Sequence, residues 1–149
     1  MNAHPLSEAL ARATLVHPRE RLLAEIERMG AEITRDYAGR RPVFLTVMHG
    51  GQITGALLAL AIGVDLEFDY LHATRYRSST SGGALQWFRQ PRVPMAGRDV
   101  LLVDDILDTG KTLKLVKELI MKLKPASCRT CVLLDKKARR EVALEADFV

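Results

Sequence analysis

At 149 residues, 48% of them hydrophobic, the chain can bury one core and hardly two, so a single domain spanning residues 1–149 is expected. Lys plus Arg number 22 against 18 Asp plus Glu, a modest positive balance that suits an anionic substrate. The basic residues are scattered and only 5% of residues are aromatic, which leaves few stacking platforms and argues against nucleic-acid binding. The longest apolar run, Ala56 to Ile62, is far short of the roughly 20 residues a bilayer span requires, so no membrane association is expected.

Met1 to Leu15 mixes His4, Pro5, Glu8 and Arg12 among its apolar residues and has no continuous signal-peptide core, which predicts a cytoplasmic protein. From Pro18 to Tyr37 the apolar residues Leu22, Leu23, Ile26, Met29, Ile33 and Tyr37 recur at three and four, predicting a helix with one buried stripe that Gly30 weakens without forbidding. Val43 to Met48 is a nearly continuous apolar run that fits a strand covered on both faces, and Gly50-Gly51 breaks it. Gln52 to Ile62 reads as a helix with Gly63 at its C-cap, and Leu66 to His72 begins a second strand.

Arg75 to Met95 has no clear periodicity and reads as a long loop or loosely held hairpin, a candidate lid. Val100 to Val103 then reads as a buried strand, Thr112 to Leu123 as a helix and Cys128 to Leu134 as a strand. The lone C-x-x-C of Cys128 and Cys131 lies in that strand, where residues three apart point to opposite faces, so two reduced thiols are expected rather than a metal or redox site. Arg139 and Arg140 read as a solvated face. Strands alternating with helices predict an α/β fold, a mainly parallel sheet flanked by helices.

The chemistry concentrates in Val100-Leu-Leu-Val-Asp-Asp-Ile-Leu-Asp-Thr-Gly-Lys-Thr112, a buried strand leading into two adjacent carboxylates, a tight loop and a helix. Open α/β sheets bind ligands at the carboxyl ends of their strands. Asp108 to Thr112 lies at a helix N-terminus, where unpaired N–H groups and the helix dipole favour a phosphate, and Gly110 permits close approach. Gly110-Lys111-Thr112 matches the end of the triphosphatase loop G-x-x-x-x-G-K-[ST], but the first glycine would fall on Asp105 and the pattern fails. A carboxylate pair beside a phosphate cradle suits a sugar phosphate, with carboxylates accepting from ribose hydroxyls.

Val103 to Thr112 resembles the phosphoribosyl pyrophosphate motif of type I phosphoribosyltransferases, and the resemblance covers Pro42 to Val149. It implies that fold, with a flexible active-site lid and a small hood. It also implies that Asp104 and Asp105 bind the ribose hydroxyls and Mg²⁺, and that Asp108, Thr109, Gly110, Lys111 and Thr112, entered through Ile106 and Leu107, hold the 5′-phosphate. Met48, His49, Gly50 and Gly51 fall where the family has its pyrophosphate loop, although the family commonly carries a longer basic residue in place of His49. Tyr76 matches the lid, Lys136 matches the lysine that bonds the purine 6-oxo group, and Phe148 with Val149 resembles the purine-stacking segment.

These matches point to the hypoxanthine-guanine branch: transfer of the 5-phosphoribosyl group from phosphoribosyl pyrophosphate to hypoxanthine or guanine in purine salvage, with Asp108 as general base. A xanthine- or guanine-preferring enzyme and a nucleotide-binding regulator of the same fold are the alternatives. The resemblance further implies a homodimer or homotetramer. In the family, some tens of residues follow the position of Val149, closing the purine pocket and adding an aspartate near the metal, and that hood segment is not among these 149 residues.

Overall fold

The computed structural model describes residues 6–75 and 85–149. Helix α1 (Leu6–Arg12) is followed by α2 (Arg19–Asp36), β1 (Val43–Met48), α3 (Gly51–Ala61), β2 (Glu67–Arg75), β3 (Leu85–Arg89), β4 (Asp99–Leu107), α4 (Lys111–Met121), β5 (Ser127–Asp135) and a short 3-10 turn, Lys137–Arg139. The five strands form one sheet in the order β3-β2-β1-β4-β5. The pairs β1–β2, β1–β4 and β4–β5 are parallel, and only the edge strand β3 runs antiparallel, against β2. The expected α/β architecture is therefore present, and the stretch read as a loop or loose hairpin contributes a strand.

Strand alternation divides the core into two layers. Val43, Leu45, Val47, Val100, Leu102 and Val132 pack with Leu113, Val116 and Ile120 of α4 on one face. Phe44, Leu101 and Val103 pack with Ile26, Met29, Ile33 and Tyr37 of α2 and Leu58 of α3 on the other. Both faces of the central strands are covered, which is why β1 and the first half of β4 read as nearly continuous apolar runs. The cysteines obey the same alternation: Cys128 lies in the α4 layer and Cys131 in the α2 layer, and burial raises their thiols to about 11 and about 12. Neither is poised as a thiolate ligand or nucleophile.

Two sequence expectations are corrected here. The C-cap of α3 is Ile62, in extended conformation, rather than Gly63, whose N–H donates to Thr34 Oγ1 at 2.8 Å. The strand read as ending at Val103 continues to Leu107, so the acidic pair sits on the strand itself.

Gly30 has a reason to be in mid-helix. A Cβ there would lie 2.5 Å from Ala61 Cβ and 2.7 Å from the Ala61 carbonyl oxygen, so glycine lets α2 and α3 approach closely. Gly30→Ala should therefore lower stability by about 1–3 kcal/mol despite the higher helix propensity of alanine. Urea unfolding checks this, and a stabilised variant would show that the helices part freely.

Candidate active site

Parallel pairing puts the carboxyl ends of β1 and β4 side by side, and a cavity of about 250 Å³ opens there. Its lining includes Met48, Gly50, Asp104, Asp105, Ile106, Leu107, Asp108, Thr109, Gly110 and Thr112, so most of the residues singled out in the sequence meet in one place. Val47, Ala73 and Leu113 complete it and were not anticipated. Ala73 comes from β2, and only the sheet order brings it there.

The two glycines after β1 act by close approach. A Cβ on Gly50 would sit 2.7 Å from Asp105 Oδ1, and one on Gly51 would sit 2.8 Å from the Val103 carbonyl oxygen. Absence of side chains thus lets the 48–51 loop lie directly against the acidic pair. The Met48-His49 peptide bond is cis. His49 faces an adjoining depression of about 370 Å³, shared with Met48, Gln52, Tyr70, His72, Phe88 and Arg89. Its ring stands edge-on to His72, with centroids 4.3 Å apart.

Asp104 is the electrostatically perturbed member of the pair. Its Oδ1 accepts the Asp105 N–H at 2.9 Å, yet burial, reinforced by the neighbouring Asp105 carboxylate, raises its carboxyl to about 7. Such an uncompensated buried acid is stabilised in its charged form by a cation or by hydroxyl donors. Among the described residues no group of three or more His, Cys, Asp or Glu could hold a metal alone. Two carboxylates nonetheless suit Mg²⁺, which keeps water and substrate oxygens in its remaining positions.

The loop after β4 turns at Gly110, whose φ of 81° lies in the left-handed region, and a Cβ there would meet Val142 Cγ2 at 2.8 Å. Asp108 Oδ1 is shielded from solvent and makes no hydrogen bond, although Arg139 Nε is 3.2 Å away. That contact is an ion pair by distance, without the alignment of a hydrogen bond. The Lys111 ammonium pairs with Glu141.

Other assignments need correction or fall elsewhere. Arg140 is not part of a solvated face: its side chain is 15% exposed, it pairs with Asp135, and it donates to backbone carbonyls of the loop. Phe148 is not a stacking platform. Its ring is 2% exposed within the α2 layer, Arg129 lies over it at 4.0 Å, and its backbone bridges Cys131, four residues short of the end of β5 at Asp135. Val149 follows it on the same path, away from the cavity. Lys136 is exposed beyond β5, its backbone N–H donating to the Leu107 carbonyl at 2.9 Å. Tyr76 lies outside the described residues.

Comparison with known proteins agrees with this geometry. Residues 14–149 match the model of the phosphoribosyl transferase domain. The chain is 30% identical over 136 residues to the hypoxanthine-guanine phosphoribosyltransferase of Streptococcus mutans, covering 91% of this chain and 76% of that one. The chain belongs to the phosphoribosyltransferase family. A second relative is the bifunctional protein TilS/HprT of Listeria innocua, 36% identical over 131 residues, which cover 87% of this chain but only 20% of that protein. Among solved structures, a hypoxanthine phosphoribosyltransferase from Staphylococcus aureus superposes with a TM-score of 0.89 at 28% identity, covering 100% of this chain and 80% of that one. A hypoxanthine-guanine phosphoribosyltransferase from Bacillus anthracis gives 0.86 at 32% identity, covering 93% and 82%. As a phosphoribosyltransferase fold, the chain carries its acidic pair and the 108–112 loop on consecutive parts of one strand-to-helix connection.

The Asp104 carboxyl yields a pH prediction. Between its ordinary value of 3.8 and about 7, the folded protein holds a proton that the unfolded chain has lost, so this group's contribution to stability falls as pH rises through that window and then levels off. Asp104→Asn does not titrate. Its stability relative to the parent should therefore increase between pH 4 and 8, by on the order of 2 kcal/mol, in urea titrations without divalent cations. A difference independent of pH would contradict the assignment.

Proposed function

We propose that this chain transfers the 5-phosphoribosyl group of phosphoribosyl pyrophosphate to a 6-oxopurine, hypoxanthine or guanine, releasing pyrophosphate and forming IMP or GMP in purine salvage. The observation that carries this reading is the single cavity that joins Asp104 and Asp105 to the 108–112 phosphate loop, with Gly50 against Asp105. The acidic pair accepts the ribose hydroxyls, the loop N–H groups hold the 5′-phosphate, and the 48–51 loop faces the leaving pyrophosphate. Asp104 and Asp105 are the residues that would hold Mg²⁺. When bound, that ion offsets the negative charge gathering on the pyrophosphate as the bond to ribose C1 breaks.

Asp108 is the general base for the purine proton. It lines the cavity, and its side chain is 38% exposed, so the carboxylate can meet a base seated there. Lys136 is the candidate for the 6-oxo group, since its backbone is tied to Leu107 beside the loop. The bared apolar side chains Phe68, Tyr70 and Phe88, at the β2–β3 edge, support association of copies into a homodimer or homotetramer. A cytoplasmic location follows from the same substrate assignment, and no helix among the described residues is long and apolar enough to cross a membrane.

The test is nucleotide formation from phosphoribosyl pyrophosphate, Mg²⁺ and each of hypoxanthine, guanine, xanthine and adenine. Hypoxanthine and guanine should be used and adenine refused, because an ammonium donor meets a 6-oxo acceptor but opposes a 6-amino donor. Lys136→Gln should lower kcat/KM for hypoxanthine. Equal use of adenine, or an unchanged Lys136→Gln, would sink the lysine's role.

Asp108→Ala should lower kcat by about 10²-fold or more while leaving affinity for phosphoribosyl pyrophosphate largely intact. Parallel losses of binding and turnover would mark Asp108 as a structural cap instead.

A further inference from the structure

The segment that follows β5 grips the phosphate loop from the side away from the cavity. The Leu107 carbonyl accepts the Lys136 N–H at 2.9 Å and Arg140 Nη2 at 3.2 Å. The Asp108 carbonyl accepts Arg140 Nε at 3.1 Å, and the Thr109 carbonyl accepts the Glu141 N–H at 3.0 Å. Three successive carbonyls are thus held by residues 136–141. Arg140 supplies the only side chain in this set, and it is itself fixed by Asp135 and by donation to the Leu144 carbonyl. The Arg140 and Asp135 side chains are only 15% and 11% exposed, so the clamp is built into the fold.

In a trans peptide the carbonyl oxygen and the following N–H point in opposite directions. The bonds after Leu107, Asp108 and Thr109 are trans. Holding those carbonyls from behind therefore turns the N–H groups of Asp108, Thr109 and Gly110 the other way. Asp108, Thr109 and Gly110 line the cavity and Arg140 does not, so the other way is toward the site. Successive N–H groups converging on one point make an anion-binding concavity. Gly110 is needed for the same arrangement, because a Cβ on it would lie 3.0 Å from Arg140 Cδ.

We infer that Arg140 is a positioning residue, locking the peptide orientations of residues 107–109 so that the loop presents its N–H donors to the 5′-phosphate of the substrate. This rests on the phosphoribosyltransferase reading above. Water replaces the guanidinium poorly at a half-buried site, so losing it frees these peptides to rotate and the phosphate loses preorganised donors. The loop's part toward the purine, through the Asp108 carboxylate, lies in turnover, so the KM for the base should change less than that for the sugar phosphate.

Ribose 5-phosphate binding, measured by calorimetry well below the melting temperature, tests the inference. Arg140→Met should weaken it about tenfold or more, and should raise KM for phosphoribosyl pyrophosphate more than KM for hypoxanthine. Arg140→Lys keeps the charge beside Asp135 but cannot span two carbonyls. It should lose about threefold or more, and it supplies the reading should Arg140→Met fail to fold. Arg129→Gln is the control for general destabilisation: Arg129 pairs with Asp36 and covers Phe148 far from the loop, so its loss should lower the melting temperature and leave affinity unchanged. Parent-like affinity in the Arg140 variants, or an equal loss in Arg129→Gln, overturns the positioning role. A parent protein that binds neither ribose 5-phosphate nor phosphoribosyl pyrophosphate overturns the functional reading itself.

Discussion

The parallel pairing of β1 with β4, Val43 opposite Val100 through Thr46 opposite Val103, is the constraint on which the site depends. It places the 48–51 loop and the acidic pair at one end of the sheet, and the missing side chains of Gly50 and Gly51 let them touch. Because parallel strands must be joined by crossovers, β1 and β4 are each followed by a helix, and the two strand-to-helix turns meet at this end of the sheet beside one cavity. The two-layered core holds this pairing in register, since a slip by one residue would send Val43, Leu45 and Val47 into the layer built for Phe44.

The site stores electrostatic cost that a ligand can relieve. Asp104 is held where its charged form is disfavoured, beside a second carboxylate, at the mouth of a loop whose backbone donors favour anions. Neither arrangement is a good folding choice in isolation. A cation or hydroxyl donors would satisfy the first and an anion the second, which is what the proposed substrate with Mg²⁺ would bring. Stability given up here is recovered in the apolar layers on both faces of the sheet.

The stretch after β5 has structural duties that its polar sequence conceals. Lys136, Arg140 and Glu141 hold the back of the loop after β4, and the chain then returns past Thr130, whose hydroxyl and N–H donate to the Asp147 carboxylate and whose carbonyl accepts the Phe148 N–H. Phe148 completes the α2 layer under the Arg129 guanidinium. A run of charges around a strand end thus serves as a brace between the edge of the sheet and its active loop.

How much was legible in the chain alone divides along the range of the interactions. The α/β class, the buried strands β1 and β4, the α2 stripe and the Asp104 to Thr112 motif were readable because periodicity, burial and local turn chemistry are properties of neighbouring residues. Most of the motif residues, with Met48 and Gly50, do share a cavity. Arg140 and Phe148 were misread because exposure is settled by what packs against a side chain from elsewhere in sequence: Asp135 and the loop carbonyls for one, α2 and Arg129 for the other. Ala73 was invisible for the same reason, since an alanine in a strand acquires meaning only when β2 pairs beside β1. The sequence by itself determined the element types and the acidic and glycine-rich motif that the cavity gathers. Tertiary structure alone decided which of them face one another, because a side chain's direction and solvent access depend on strand order and register that no local pattern encodes.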